Sequence, residues 1–117
     1  MQRFSVSKEK KITQYDSDFY LSKIVNKASQ LHIAWMRIEA GGSVGYHEAV
    51  APQLLLIVEG KGTVLGKENI KYEVTQGDAV LWEKGEGHET VSEHGLTAIV
   101  IEGEHIDLTT ISMLNKD

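Results

Sequence analysis

The chain contains no cysteine, which excludes disulfides and thiolate metal sites alike and is compatible with a reducing compartment. It has a single proline, Pro52, and no proline-rich linker, repeat or low-complexity tract. No apolar run approaches the ~20 residues that a membrane-crossing helix needs. Residues 1 to 20 lack the apolar core of a secretory signal, so the expected location is cytoplasmic, with no membrane partner. Basic charge is also scarce: 12 Lys and Arg stand against 17 Asp and Glu, a net charge of -5, which argues against nucleic acid as a partner. Lys8, Lys10 and Lys11 form one small basic run, while Glu83, Glu86, Glu89, Glu93, Glu102 and Glu104 crowd the later half; both read as solvated surface. A Gly-x-Ser-x-Gly elbow, a phosphate-binding Gly-x-x-x-x-Gly-Lys loop and a dinucleotide fingerprint are all missing, and Gly60-Lys61-Gly62 reads as a hairpin turn.

What remains is strand. Segments 19–26, 31–40, 53–59, 63–65, 70–74, 79–83, 89–91 and 97–102 are rich in β-branched and aromatic residues. Glycine-bearing turns separate them at roughly the 8 to 12 residue spacing of an all-β sandwich or barrel. No apolar stripe at helical spacing runs beyond two turns. With 117 residues and 41% hydrophobic content, the chain suits one domain spanning 1–117, with a core barrel over about 31–104 and flanking N-terminal strands and C-terminal tail. Leu54-Leu55-Leu56-Ile57-Val58 and Thr97-Ala98-Ile99-Val100-Ile101 are apolar on both faces. One face fills the barrel, and the other requires cover from a second layer of the same chain or from a partner, so a homodimer is expected.

Two stretches carry the chemistry. The first sets Gly41, His47, Ala49, Gln53 and Gly60 at fixed intervals, and the second does the same with Gly77, Glu83, Gly85, His88 and Ser92. Both resemble the paired motifs of the cupin family, Gly...His-x-His...Glu...Gly and Gly...Pro-x-Gly-x-x-His...Asn. The intervals match, but Ala49 stands for a His, Gln53 for Glu, Glu83 for Pro and Ser92 for Asn. The resemblance implies an all-β jelly-roll barrel, the double-stranded β-helix of cupins. It also implies a metal site at the barrel centre, of which His47, Gln53 and His88 would be the remaining ligands for one divalent transition metal, Zn, Ni, Cu, Fe or Mn.

Residues two apart on a strand share a face, so His47, Ala49 and Gln53 can look into one interior, with His88 joining from a second hairpin. Two readings stand side by side. The histidines and Gln53 either hold a small-molecule ligand or a metal, or they are core polar groups that satisfy one another and ordered water. Tyr46 and Trp82 are candidate pocket walls, although large strand residues are more often plain core. Glu83, five positions before His88, is the candidate general base should the Gly85–Gly87 turn fold it back. His94 has the strand parity of His88, whereas His32 and His105 match no motif position. The leading functional expectation is a cupin that binds a small organic molecule; the alternative is a metal-dependent enzyme of oxygenase or isomerase type.

Overall fold

The computed structural model describes residues 1–7, 9–66 and 68–114; Lys8 of the basic run, Lys67 of the turn before the 70–74 strand, and the tail from 115 lie outside the described residues. Thirteen strands and one 3-10 turn occur among those residues, an all-β fold. In chain order they are β1 (Gln2–Ser5), β2 (Lys10–Ile12), the 3-10 turn Gln14–Asp16, β3 (Phe19–Leu21), β4 (Lys27–Ser29), β5 (His32–Ile38), β6 (Gly42–Glu48) and β7 (Gln53–Leu65). Then follow β8 (Lys71–Thr75), β9 (Asp78–Trp82), β10 (Gly87–Ser92), β11 (Leu96–Glu102), β12 (His105–Asp107) and β13 (Ser112–Met113).

β7 organises the barrel. The sequence suggested two strands joined by a turn at Gly60-Lys61-Gly62, but the chain runs through without reversing. Its first half pairs antiparallel with β11 and β9, and its second half with β8 and β10, so one strand serves both faces of the jelly roll. The crossing is made at Gly60, whose φ of 82° is open to glycine, and any Cβ there would collide with the backbone of Gly95 and Leu96. One face therefore runs β13-β1-β9-β7-β11-β5, and the other runs β8-β7-β10-β6.

Alternation along the strands splits the apolar residues into two layers. Ile38, Leu55, Ile57, Val64, Val74, Val80, Trp82, Leu96 and Ala98 fill the barrel. Leu54, Leu56, Ala79, Leu81 and Ile101 face outward with Phe4 of β1 beside Ala79, and Ile24, Val25, Ile106, Leu108 and Ile111 pack in the same layer. The chain thus supplies much of its own second layer, from terminal segments too short to show a period in the sequence. Strand 19–26 was expected to be continuous, but only Phe19–Leu21 is extended, and Ile24 and Val25 instead turn onto the outer layer. No helix among the described residues is long and apolar enough to cross a membrane.

Candidate functional site

β6 and β10 run antiparallel with His47 directly opposite His88. The register holds an irregularity: Thr90 faces Val44, so β6 carries one extra residue at Gly45–Tyr46. This bulge restores inward direction. Val44 packs on the barrel core three residues before His47, an odd interval that plain alternation would send to opposite faces, and Ala49 continues the inward row with His47. Gly45 at the bulge is the sole local sign in the sequence.

The two imidazoles meet edge to face with ring centroids 4.4 Å apart, and His88 also lies flat against Trp82 at 4.4 Å. Trp82 and His88 are almost wholly buried, at 1% and 2% exposure, whereas His47 is exposed. His47 thus forms the outer lid of a three-ring stack. Its Nδ1 lies 2.8 Å from the Gly45 carbonyl oxygen. Because a carbonyl only accepts, Nδ1 donates in this contact, and in its neutral form the ring would present Nε2 as an acceptor. Gln53 opens β7 directly opposite Trp82 and shares the strand parity of Leu55 and Ile57, which face inward.

His88 is chemically exceptional. Neither ring nitrogen has a hydrogen-bond partner among the described residues, and the same holds for Trp82 Nε1. Burial pushes the His88 pKa down from 6.5 to about 4, helped by the neighbouring His47 charge; the Glu86 carboxylate and backbone carbonyl act in the opposite direction without reaching good hydrogen-bond geometry. His88 is therefore a neutral imidazole at physiological pH, one N–H donor and one lone pair held within an aromatic wall.

Other expected residues fall elsewhere. Tyr46 sits in the bulge, half exposed, with its hydroxyl over Gly87 on the side where a residue-87 side chain would point, the face opposite to His88. It backs the strand and does not line the site. Glu83 follows Trp82 with the outward parity of Leu81, and both line a cleft of about 520 Å³ with Lys27, Pro52, Glu104 and His105. Its backbone N–H donates to Glu86 Oε1 at 2.8 Å. The turn therefore does not fold the Glu83 carboxylate back onto His88, and a general-base role there is not supported. His94 lies past the far end of β10, in a separate cleft with Lys61 and Glu73.

Ser92, at the motif's Asn position, holds that far end: its Oγ donates to the Lys61 carbonyl at 2.7 Å and accepts from the Gly95 N–H at 2.8 Å. Sequence reasoning also passed over Glu102 and His32. Glu102 shares inward parity with Ala98 and Val100 and pairs with Gln53 on one side and His32 on the other, and Glu102 and His32 line a cleft with Val50, Pro52 and Lys84. The parity with Ala98 could have found it, but its place in an acidic run suggested plain surface.

Two imidazoles and one amide do not fit the four-ligand shell that the motif resemblance implies. Ala49 lends no donor, and among the described residues no group of three or more His, Cys, Asp or Glu gathers closely enough to hold an ion.

These features define a jelly-roll barrel with a histidine-bearing mouth, and solved structures place it in the cupin fold. The chain is similar to a cupin superfamily protein from Desulfitobacterium hafniense (18% identity, TM-score 0.61), with 73% of this chain and 77% of that one covered. A cupin-2 domain protein from Shewanella frigidimarina aligns at 13% identity and TM-score 0.57 over 69% and 78% of the two chains. Salicylate 1,2-dioxygenase from Pseudoaminobacter salicylatoxidans aligns at 16% identity and TM-score 0.59, over 62% of this chain but only 20% of the enzyme. No family model and no curated protein matches the sequence. At these identities the likeness establishes the fold, and chemistry has to be argued from the residues.

Proposed function

We propose that this small cupin domain binds an uncharged or weakly polar small organic molecule at the barrel mouth, between His47, Gln53 and His88, with Trp82 as the floor. One observation carries the reading: a buried imidazole, His88, with neither nitrogen hydrogen-bonded among the described residues. A buried polar group without a partner costs on the order of 1 to 3 kcal/mol, so its presence calls for compensation by a guest. His88 supplies a donor and an acceptor, His47 Nε2 a second acceptor, and the Gln53 amide both kinds. A guest carrying adjacent donor and acceptor groups matches this set. Access requires the exposed His47 ring to swing aside, a rotamer change of the picosecond to nanosecond class for surface side chains.

The metal-dependent enzyme remains the second reading, favoured by the convergence of two imidazoles at 4.4 Å. No group of three or more His, Cys, Asp or Glu gathers around them among the described residues, so no reaction step is derived from it. Native mass spectrometry and elemental analysis of untagged protein test both readings together. A small organic adduct present on the wild type and lost from His88→Phe supports the first. Metal approaching one ion per chain, lost on changing both histidines to Ala, replaces it with the second. Bare protein that also fails to bind any member of a small polar aromatic library overturns both.

A further inference from the structure

The turn between β9 and β10 carries a nearly buried carboxylate. Glu86 lies two residues before His88, and its side chain is only 11% exposed. A carboxylate taken out of water needs donors around it, and here they come from two segments. Its Oε1 accepts the Glu83 backbone N–H at 2.8 Å, and its Oε2 accepts from the Met1 amine at 2.9 Å. The Glu86 N–H donates back to the Glu83 carbonyl at 3.0 Å, so side chain and backbone together close the 83–86 turn.

That turn is also fastened to the end of β6. Gly85 donates its N–H to the Ala49 carbonyl at 2.8 Å, and the Ala49 N–H donates to the Glu86 carbonyl at 2.9 Å. Ala49 follows His47 by two residues, as His88 follows Glu86. Both imidazoles therefore take their spacing, 4.4 Å between ring centroids, from one small loop. At position 83 the cupin motif carries Pro, whose φ is fixed and which has no N–H, so a turn leaving it is stiff unaided. With Glu at 83 the backbone regains a free φ and an N–H, and the Glu86 carboxylate holds that N–H.

We infer that Glu86 is the positioning residue of the barrel mouth: its carboxylate takes over the stiffening that proline gives the motif, and so sets His47 and His88 at the distance across which a guest can bridge them. The consequence for binding rests on the function proposed above, whereas the geometric role does not. Neither histidine has to change charge for it to operate.

Proton NMR of the histidine rings in the full chain, with no guest present, reads the geometry, because the His88 ring lies flat against Trp82 and its protons carry the indole ring-current shift. Glu86→Ala should move the His88 and His47 ring protons most of the way to their unfolded-chain positions. Adding Glu83→Pro to Glu86→Ala should bring them back, since proline deletes the stranded N–H and fixes the backbone, and Trp82 before it is already extended. Glu86→Gln, which keeps an oxygen for that N–H, should hold them as well. In the same samples pyrazole, a planar probe with a donor and an acceptor on adjacent atoms, should bind about tenfold more weakly to Glu86→Ala than to wild type, about 1.4 kcal/mol, and recover in the double variant. Glu86→Ala protein with wild-type ring shifts, or shifts that the added proline fails to restore, overturns the positioning role. Should Glu86→Ala not fold, a folded double variant with wild-type shifts supports the role and an unfolded one overturns it. Ring shifts in the expected order with no pyrazole bound to the wild type support Glu86 in its role and fault the binding reading alone.

Discussion

Acidification should reveal the burial of His88 as a loss of stability that a single substitution removes. In the folded chain its pKa lies at about 4, against 6.5 for a free imidazole. Between those values the unfolded chain binds a proton that the folded chain refuses, so the unfolded state gains as pH falls. The contribution is fully present above pH 6.5 and declines until the folded group itself protonates near pH 4. Full burial would make the difference roughly 3 kcal/mol. The exposed His47 ring admits water to one side, and screening brings the working figure to about 2 kcal/mol.

Many carboxylates also titrate in this range, so the comparison has to be made against His88→Phe. That variant keeps a ring against Trp82, removes both unpartnered nitrogens and cannot titrate. Urea unfolding followed by far-UV circular dichroism at steps from pH 7 to pH 4 should show the wild type losing about 2 kcal/mol more than the variant, or about 6 to 10 °C in Tm. At pH 7 the ligand-free variant should be at least as stable as the wild type, because an unpaired polar group has left the core. Parallel acid profiles for the two proteins would refute the claim that burial keeps this imidazole neutral.

Three further outcomes follow from the packing. Gly60→Ala should cost more than about 2 kcal/mol, since it adds a left-handed penalty to a backbone collision, whereas Gly85→Ala, equally left-handed but with open space around its Cβ, should cost about 1 kcal/mol; chemical denaturation separates them. Ser92→Ala should destabilise by about 2 kcal/mol, because it strands the Lys61 carbonyl and the Gly95 N–H at one stroke; equal denaturation midpoints for variant and wild type would contradict this. Glu83→Gln should leave ligand binding at the barrel mouth unchanged within a factor of two or so, because Glu83 faces the outer cleft; isothermal titration with any guest recovered from the untagged protein measures it.

Much of this arrangement was legible before any coordinates. The motif resemblance brought His47 and His88 toward one interior and strand parity added Gln53; the structure sets the two histidines directly opposite each other and Gln53 opposite Trp82. The misreadings have separate physical causes. Leu54 to Val58 and Ala79 to Trp82 are apolar on both faces, so no alternation marks which way Glu83 leaves β9. Tyr46 was displaced by a bulge, a one-residue insertion that periodicity cannot register. Gly60 and Gly62 resembled a reversal because glycine marks positive φ and close approach as readily as a turn; here Gly60 has the first and both have the second. The outer cover came from Ile24, Val25, Ile106, Leu108 and Ile111, scattered along segments with no period at all. Glu102 was hidden by its acidic neighbours, although Ala98 and Val100 share its face.

Nitrogen-15 NMR of the imidazole side chains, followed through a pH titration of the full chain, addresses the neutral, sheltered His88 most directly. His88 should keep the shifts of a neutral ring until the pH approaches 4, and those shifts should move when a guest is added or stripped away. Protonation near 6.5 with no response to any guest would show a solvated histidine and leave the barrel mouth without its binding group.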